Sequence, residues 1–378
     1  MITAMLLGIA GAILVSLILW DAFETVLVPR RVGRRVRLTS VFYVVAWRGW
    51  RALARGVRMP ARREAMLATF APLSILLLLV CWAGGMIVGF ALLQAAAGTL
   101  HGVGHWSALL YLSGETFFTL GYGDITPHSG FGRLLSVLEA GMGFGFLGTV
   151  VGYLPTIYNA FSARELEITL LDARAGSPPT AAEAFHRIPP TRGEPWMEAR
   201  LRGWERWSAT VLESTISYPL LAYYRSQHGN QSWLGTLTVA LDASALVLAG
   251  AEGMPREQAQ LTFSMARHAI VDITQIFLSG PPDGLPDRLP AADLARLRER
   301  LAHSMVRLPD TPEFAERLAA LRQKYEPYAQ GLAAYLGITL PPWIHAEPRR
   351  DNWQGGPWDR ALATGRPAPA VVWDEEHY

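Results

Sequence analysis

From Met66 to about Ala97 the chain carries no charged residue. A helix needs ~20 apolar residues to cross a bilayer, so this run alone can span, and Pro72 is placed to bend its start. Two further runs have the same character. One extends from Ala4 to Trp20 and can continue to Val28; the other extends from Leu134 to Ala160, with Glu139 its only acid. Hydrocarbon offers the backbone no hydrogen-bond partners, so the expected fold class is an all-α membrane protein. Composition agrees: 17% of residues are charged and 51% hydrophobic, against about 25% charged in a soluble protein. The first run begins at Met1 without a basic leader or an A-x-A site and reads as an anchor rather than a cleaved signal. The single cysteine, Cys81, excludes an internal disulfide and a cysteine-held metal cluster, and reads as a packed, inert thiol.

Arginine sets the orientation. The segment from Pro29 to Ala65 is crowded with it, beginning at Arg30, Arg31, Arg34, Arg35 and Arg37, whereas Gly98 to Trp106 has neither Lys nor Arg. The positive-inside rule then puts the arginine segment and everything after the third span in the cytoplasm, and the N-terminus outside. A prokaryotic inner membrane is the expected location. Arg48, Arg51, Arg55, Arg58 and Arg62 fall on one helical face, with Phe42, Ala46, Trp50, Leu53 and Val57 opposite. This pattern predicts an amphipathic helix on the inner surface, arginines toward lipid phosphates. A voltage sensor needs arginines within a spanning helix, and no span has them. Asp21 and Glu24, near the inner end of the first span, are expected to pair with nearby arginines.

Between the second and third runs, Trp106 to Phe118 is too short to span at ~1.5 Å per residue. It suits a helix that enters the membrane and turns back. Thr119 to Asp124 follows, and non-helical backbone at membrane depth survives only when buried in protein or lining a wet cavity. Gly121 and Gly123 permit the angles needed to turn successive carbonyls to one side. Here the chain resembles the potassium channels. Thr119-Leu120-Gly121-Tyr122-Gly123 is similar to their T-V-G-Y-G filter, with leucine replacing valine, and the resemblance covers about residues 66 to 160. It implies a homotetramer around one axis, with a re-entrant pore helix and K+ ions held at Thr119, Leu120, Gly121 and Tyr122. Asp124 then stands at the outer mouth and Tyr122 packs behind the filter. The resemblance further implies that Glu115 lies behind the filter and shares a proton with Asp124. Tyr111 stands where many relatives carry a tryptophan bonded to that aspartate.

In the third run Gly143, Gly145 and Gly148 satisfy G-x-G-x-x-G. That fingerprint binds dinucleotides only between a strand and a helix, so its place inside a span excludes the reading. Each glycine reads either as a hinge or as a close-packing site, Gly143 standing where the family usually has its hinge. Pro155 removes a helical hydrogen bond near the inner end and predicts a kink. Stepping from Gly143 along one face gives Leu147, Val151, Pro155 and Asn159. Leu147 and Val151 are expected to line the cavity, and Pro155 to Asn159 to approach the gate.

The expected organisation is an N-terminal transmembrane helix (1–28), a basic interfacial segment (29–65), a pore domain (66–160), an all-α cytoplasmic domain (161–340) and a flexible tail (341–378). Ala173 to Glu194 reads as a proline-broken linker. Helices are expected at Trp204–Gln227 with a break near Pro219, Ser232–Ala249, Arg256–Leu278, Ala291–Arg307 and Pro312–Tyr335. Asp242 makes Ser232–Ala249 a buried soluble helix rather than a fourth span. Ser217 to Trp233, dense in aromatics and amides, reads as a surface for the membrane or a neighbouring subunit. Arg267, His268 and Asp272 read as a surface group rather than a metal or proton-sensing site. Nothing suggests an organic cofactor, nucleic-acid binding or an enzyme's nucleophile–base pair. The functional expectation is a potassium-selective channel whose partners are membrane lipid, three further copies and an unidentified cytoplasmic ligand. The alternatives are a poorly selective cation pore and a non-conducting membrane sensor or scaffold.

Overall fold

The computed structural model of the chain describes residues 1–26, 28, 38–100, 106–189, 191, 193–277, 280, 284, 286–347 and 350–354, and every regular element among them is helical. They form two compact units, Met1–Arg58 with Thr69–Asn159, and Met59–Ala68 with Ala160–Tyr378. Three stretches are long and apolar enough to cross a membrane: Ile2–Val26, Pro60–Ala96 and Gly130–Ala175.

The first unit contains α1 (Ile2–Val26) and α2 (Leu38–Arg55). α3 (Pro60–Ala68) belongs to the second unit. The first resumes with α4 (Phe70–Ala96), α5 (Trp106–Phe117) and the opening part of α6 (Gly130–Ala175). The apolar run expected from Met66 becomes α4 only at Phe70. Pro72 has no N–H for the carbonyl four residues back, so it is tolerated in a first turn and not deeper. α1 and α4 touch through glycine. A Cβ at Gly11 would lie 2.7 Å from the Gly89 carbonyl oxygen, and one at Gly85 would collide with Ile18 Cδ1. Lipid supplies no hydrophobic drive between helices, so such close backbone packing is what holds them. Val15, Ile18, Leu78, Trp82, Met86 and Phe90 fill the interface, joined by Phe117 of α5.

The five-arginine helical face does not form. Gly56 and Pro60 interrupt it: Gly56 N–H donates to Leu53 O at 3.0 Å and Val57 N–H to Ala54 O at 3.1 Å, closing α2 before α3 begins. Arg48, Arg51 and Arg55 lie on α2, Arg58 in the link and Arg62 on α3. α2 packs through Thr39, Trp47 and Ala54, with Trp47 stacked edge-on at 4.8 Å against Phe70, and leaves Leu53 exposed. The described partners of the acids also differ from the arginines expected. Asp21 accepts from Thr39 N–H (3.1 Å), Thr39 Oγ1 (2.5 Å) and Trp82 Nε1 (3.0 Å), and Glu24 accepts from Trp20 Nε1 at 2.7 Å. Arginines 30–37 lie outside the described residues. Cys81 is exposed on α4, not packed inside.

The second unit takes up the rest of α6, which passes residue 160 without a break, and then α7 (Ala181–His186), α8 (Gly193–Ser217), α9 (Trp233–Ala249), α10 (Arg256–Phe277), α11 (Ala291–Ala302), α12 (Pro312–Arg322) and α13 (Glu326–Leu336). α9 is buried along its whole length and is the core of the unit. Ser232 Oγ caps its start by accepting from Gly235 N–H at 2.9 Å, and Gly250 (φ 137°) ends it. Three expectations are corrected by packing. The supposed linker holds α7, capped by Thr180 and buried at Ala181, Ala182, Ala184 and Phe185. The aromatic stretch after Ser217 turns inward as a 3₁₀ helix, Pro219–Tyr223, where Arg164 donates to Leu221 O at 2.6 Å and Tyr224 O at 3.0 Å. The supposed flexible tail is packed at Trp343, and Asp351 pairs with Arg187 at 2.6 and 3.0 Å; residues 355–378 lie outside the described set. The helix expected over Pro312–Tyr335 is two, α12 and α13, separated just before Pro327.

A buried ionic cluster joins α9 to its neighbours. Asp242 takes two bonds from Arg288, at 2.8 and 3.1 Å, and one from Tyr325 OH at 2.5 Å. Arg288 also reaches Glu326 (3.1 Å) and Pro341 O (2.8 Å), and the Arg288 and Arg322 guanidinium groups lie 5.9 and 5.7 Å from the Trp343 ring centre. Burial, reinforced by the Asp242 charge, pushes the Tyr325 hydroxyl well above its ordinary pKa, so it remains a donor at neutral pH. Removing one member of a buried ion pair strands the other. Asp242→Ala is therefore expected to cost the second unit about 3–5 kcal/mol. Thermal unfolding of the purified full-length protein, followed by circular dichroism, measures the drop.

Candidate functional site

α5 ends in a short, wound-out turn. Phe118 N–H donates to Gly114 O (3.0 Å), Thr119 N–H to Thr116 O (3.1 Å) and Leu120 N–H to Glu115 O (2.8 Å). The backbone then alternates in hand: Thr119 (φ 56°), Gly121 (φ 62°) and Gly123 (φ 77°) are left-handed, and Leu120 and Tyr122 between them are not. Alternation of the two hands can turn successive carbonyls to one side. Glycine adopts the left-handed region freely. Thr119 does not, and its conformation stores strain of about 1–3 kcal/mol. Residues 118–124 are all exposed on the single chain, Tyr122 at 72%. The stretch thus offers an uncovered, non-helical backbone beside helices long enough to span.

Its supports come from both sides. Tyr111 OH donates to Asp124 Oδ1 at 3.2 Å. Glu115 is buried behind the stretch, its Oε2 has no partner, and among the described residues no hydrogen bond joins it to Asp124. Past the stretch, His128 N–H donates to Thr99 O (3.0 Å), and Thr99 Oγ1 donates to Gln94 Oε1 (2.6 Å). Gln94 Nε2 then donates to Ser136 Oγ (3.1 Å), so the end of α4 is tied to the start of α6. The sequence reading passed over Gln94 and Thr99. The available signal was an amide in an otherwise apolar run. It also passed over Ser113, whose hydroxyl meets Ile87 O at 2.8 Å and Glu139 Oε1.

The α6 residues divide by exposure. Gly143 is buried, and a Cβ there would collide with the Phe117 carbonyl oxygen, so it is a point of close approach to α5. Leu147, Val151, Pro155 and Asn159 are exposed. Gly143 differs from them because Phe117 of α5 covers it. Pro155 lies within α6 and does not end it. The G-x-G-x-x-G string is mid-helix. Elsewhere, the exposed His268 pairs with the half-buried Asp272 at 3.3 Å, and no cluster of metal-ligating side chains occurs among the described residues.

Residues 75–158, which contain α5, the Thr119–Asp124 stretch and α6 as far as Tyr158, match the family model described as "Ion channel". Over 165 residues the chain is 26% identical to "Uncharacterized membrane protein YdjJ" of Bacillus subtilis (strain 168), covering 41% of this chain and 45% of that one. Over 88 residues it is 36% identical to "Protein LctB" of Geobacillus stearothermophilus, covering 19% of this chain and 63% of that one. The chain thus spans less than two thirds of either relative. No solved structure matches it significantly. The family match supports ion channel activity and, with three helices able to span, a place in a membrane.

The close approach at Gly143 has a direct test. Gly143→Ala drives a methyl into the Phe117 carbonyl, and overpacking of this kind costs about 1–3 kcal/mol. A lower thermal midpoint of the purified protein is expected. Gly145→Ala, whose added Cβ meets nothing within 4 Å, is expected to stay at or slightly above the wild type.

Proposed function

We propose that four copies of this chain form a potassium-selective channel. The observation that carries the reading is the alternation of left-handed residues at Thr119, Gly121 and Gly123, in an exposed stretch directly after α5 and inside the ion channel match. Carbonyls at membrane depth need a partner. A dehydrating K+ at Thr119, Leu120, Gly121 and Tyr122 supplies it, and a single loop offers too few oxygens, so four loops converge. Asp124 stands at the outer mouth, held by Tyr111. Leu147, Val151, Pro155 and Asn159, all exposed on α6, face the other copies across the inner cavity and gate. The N-terminus is outside, and the second unit is cytoplasmic and biases the gate in response to an unidentified ligand. The filter holds K+ without an organic cofactor, and the chain meets lipid on its outer helices.

Leu120 supports a second reading, a poorly selective cation channel, because a larger side chain behind the carbonyls alters their packing. The two readings separate in one experiment. Purified protein in liposomes is expected to pass K+, with a reversal potential near the K+ value in mixed K+ and Na+. Leu120→Val is expected to keep or sharpen that selectivity. A reversal potential near zero favours the poorly selective pore. Absence of flux from protein that runs at the size of four copies favours a non-conducting sensor or scaffold.

A further inference from the structure

Glu139 is an acid on α6 with no exposed surface, in a run that could have been wholly apolar. A carboxyl in such a place is costly and calls for a partner. Its partner is Ser113 Oγ, on α5, and the same hydroxyl meets Ile87 O of α4 at 2.8 Å. Three helices therefore meet at one buried oxygen. One turn further on, the Phe117 carbonyl lies against Gly143. Ser113 and Phe117 are four residues apart on α5, and Glu139 and Gly143 are four apart on α6. The two helices are thus parallel and in register across this turn. Phe117 is the last residue of α5, and Thr119, the first left-handed residue, follows two positions later.

We infer that Glu139 is a positioning residue for the filter: acting through Ser113, it fixes the register of α6 against α5 and so sets where the filter begins. The inference rests on the channel reading above and adds to it the residue pair on which selectivity depends. The magnitudes favour a dedicated lock. A slip of one residue along a helix moves the chain ~1.5 Å, whereas a binding constellation tolerates about 0.5 Å. Apolar side chains alone slide more easily than a bonded pair. The serine has one hydrogen for two acceptors, Ile87 O and Glu139. A side chain at 139 that can itself donate, such as glutamine, can bond the Ser113 oxygen and leave the hydroxyl hydrogen for Ile87 O. Leucine leaves only the Ser113–Ile87 bond and removes the tie to α6, yet fills the space.

The test uses full-length protein in liposomes and reads the Na+-to-K+ permeability ratio from reversal potentials. Ser113→Ala and Glu139→Leu are each expected to raise the ratio about fivefold, the equivalent of one lost hydrogen bond. The double variant is expected to be no leakier than either single variant, because both act through one junction. Glu139→Gln is expected to restore the wild-type ratio. A wild-type ratio in Ser113→Ala or Glu139→Leu, additive effects in the double variant, or a glutamine variant as leaky as the leucine one would each overturn the inference while leaving the channel reading intact. If Glu139→Leu fails to assemble, Ser113→Ala and Glu139→Gln decide between the outcomes. A wild-type protein that passes no K+, or passes Na+ equally, overturns the selective-channel reading itself and this inference with it.

Discussion

Backbone polar groups inside a bilayer have no water to turn to, and the first unit is organised by that constraint. α1, α4 and α6 answer it internally, each bonding its own N–H and C=O groups over a length sufficient to span. The stretch from Thr119 to Asp124 does not. Among the described residues its backbone is bonded to α5 only at its entry, by Thr119 and Leu120, while Tyr111 reaches the Asp124 side chain at its end. A threonine is held there in a left-handed conformation that glycine would adopt freely. Strain at one residue and an uncovered backbone at its neighbours mark the place where the chain departs from the economical solution.

The two units are held together by different physics. In the first, association depends on absence of bulk and on isolated polar joints. Gly11 and Gly89 bring α1 and α4 into backbone contact, and Gly85 makes room for Ile18. Asp21, Thr39 and Trp82 join three helices, and Gln94 with Thr99 joins the end of one span to the start of another. Each joint is a short-range bond in a medium that offers no competing partner. The second unit resembles a water-soluble protein. It wraps a wholly buried helix in amphipathic ones and stitches the wrapping with arginines that reach several acids at once.

Much of this was legible in the chain. The runs that become α1, α4 and α6 are visible as absence of charge. The glycine-tyrosine-glycine string stands out between them, and the limits of α9 are announced by Ser232 and Gly250. Misreadings arose where a local rule was overruled by distant packing. Proline-rich stretches around α7 and beyond Pro341 look like linkers until Phe185 and Trp343 are seen to be buried. The partners of Asp21 and Glu139 are remote in sequence, so periodicity could not reveal them. The arginine face failed for a reason that was present in the sequence: Gly56 and Pro60 stop a helix however well the spacing of its charges continues. The close approach of Gly143 to Phe117 was one of the two readings its place in the sequence allowed, and only the packing of α5 distinguishes it from a bare glycine in a helix.

Asp242 has a consequence before folding begins. α9 is apolar enough, over Trp233–Ala249, to resemble a short span as it leaves the ribosome. An aspartate near the middle of such a segment raises the free energy of entering lipid by ~3 kcal/mol. The residue that later anchors Arg288 thus also makes Trp233–Ala249 a poor candidate for entering lipid.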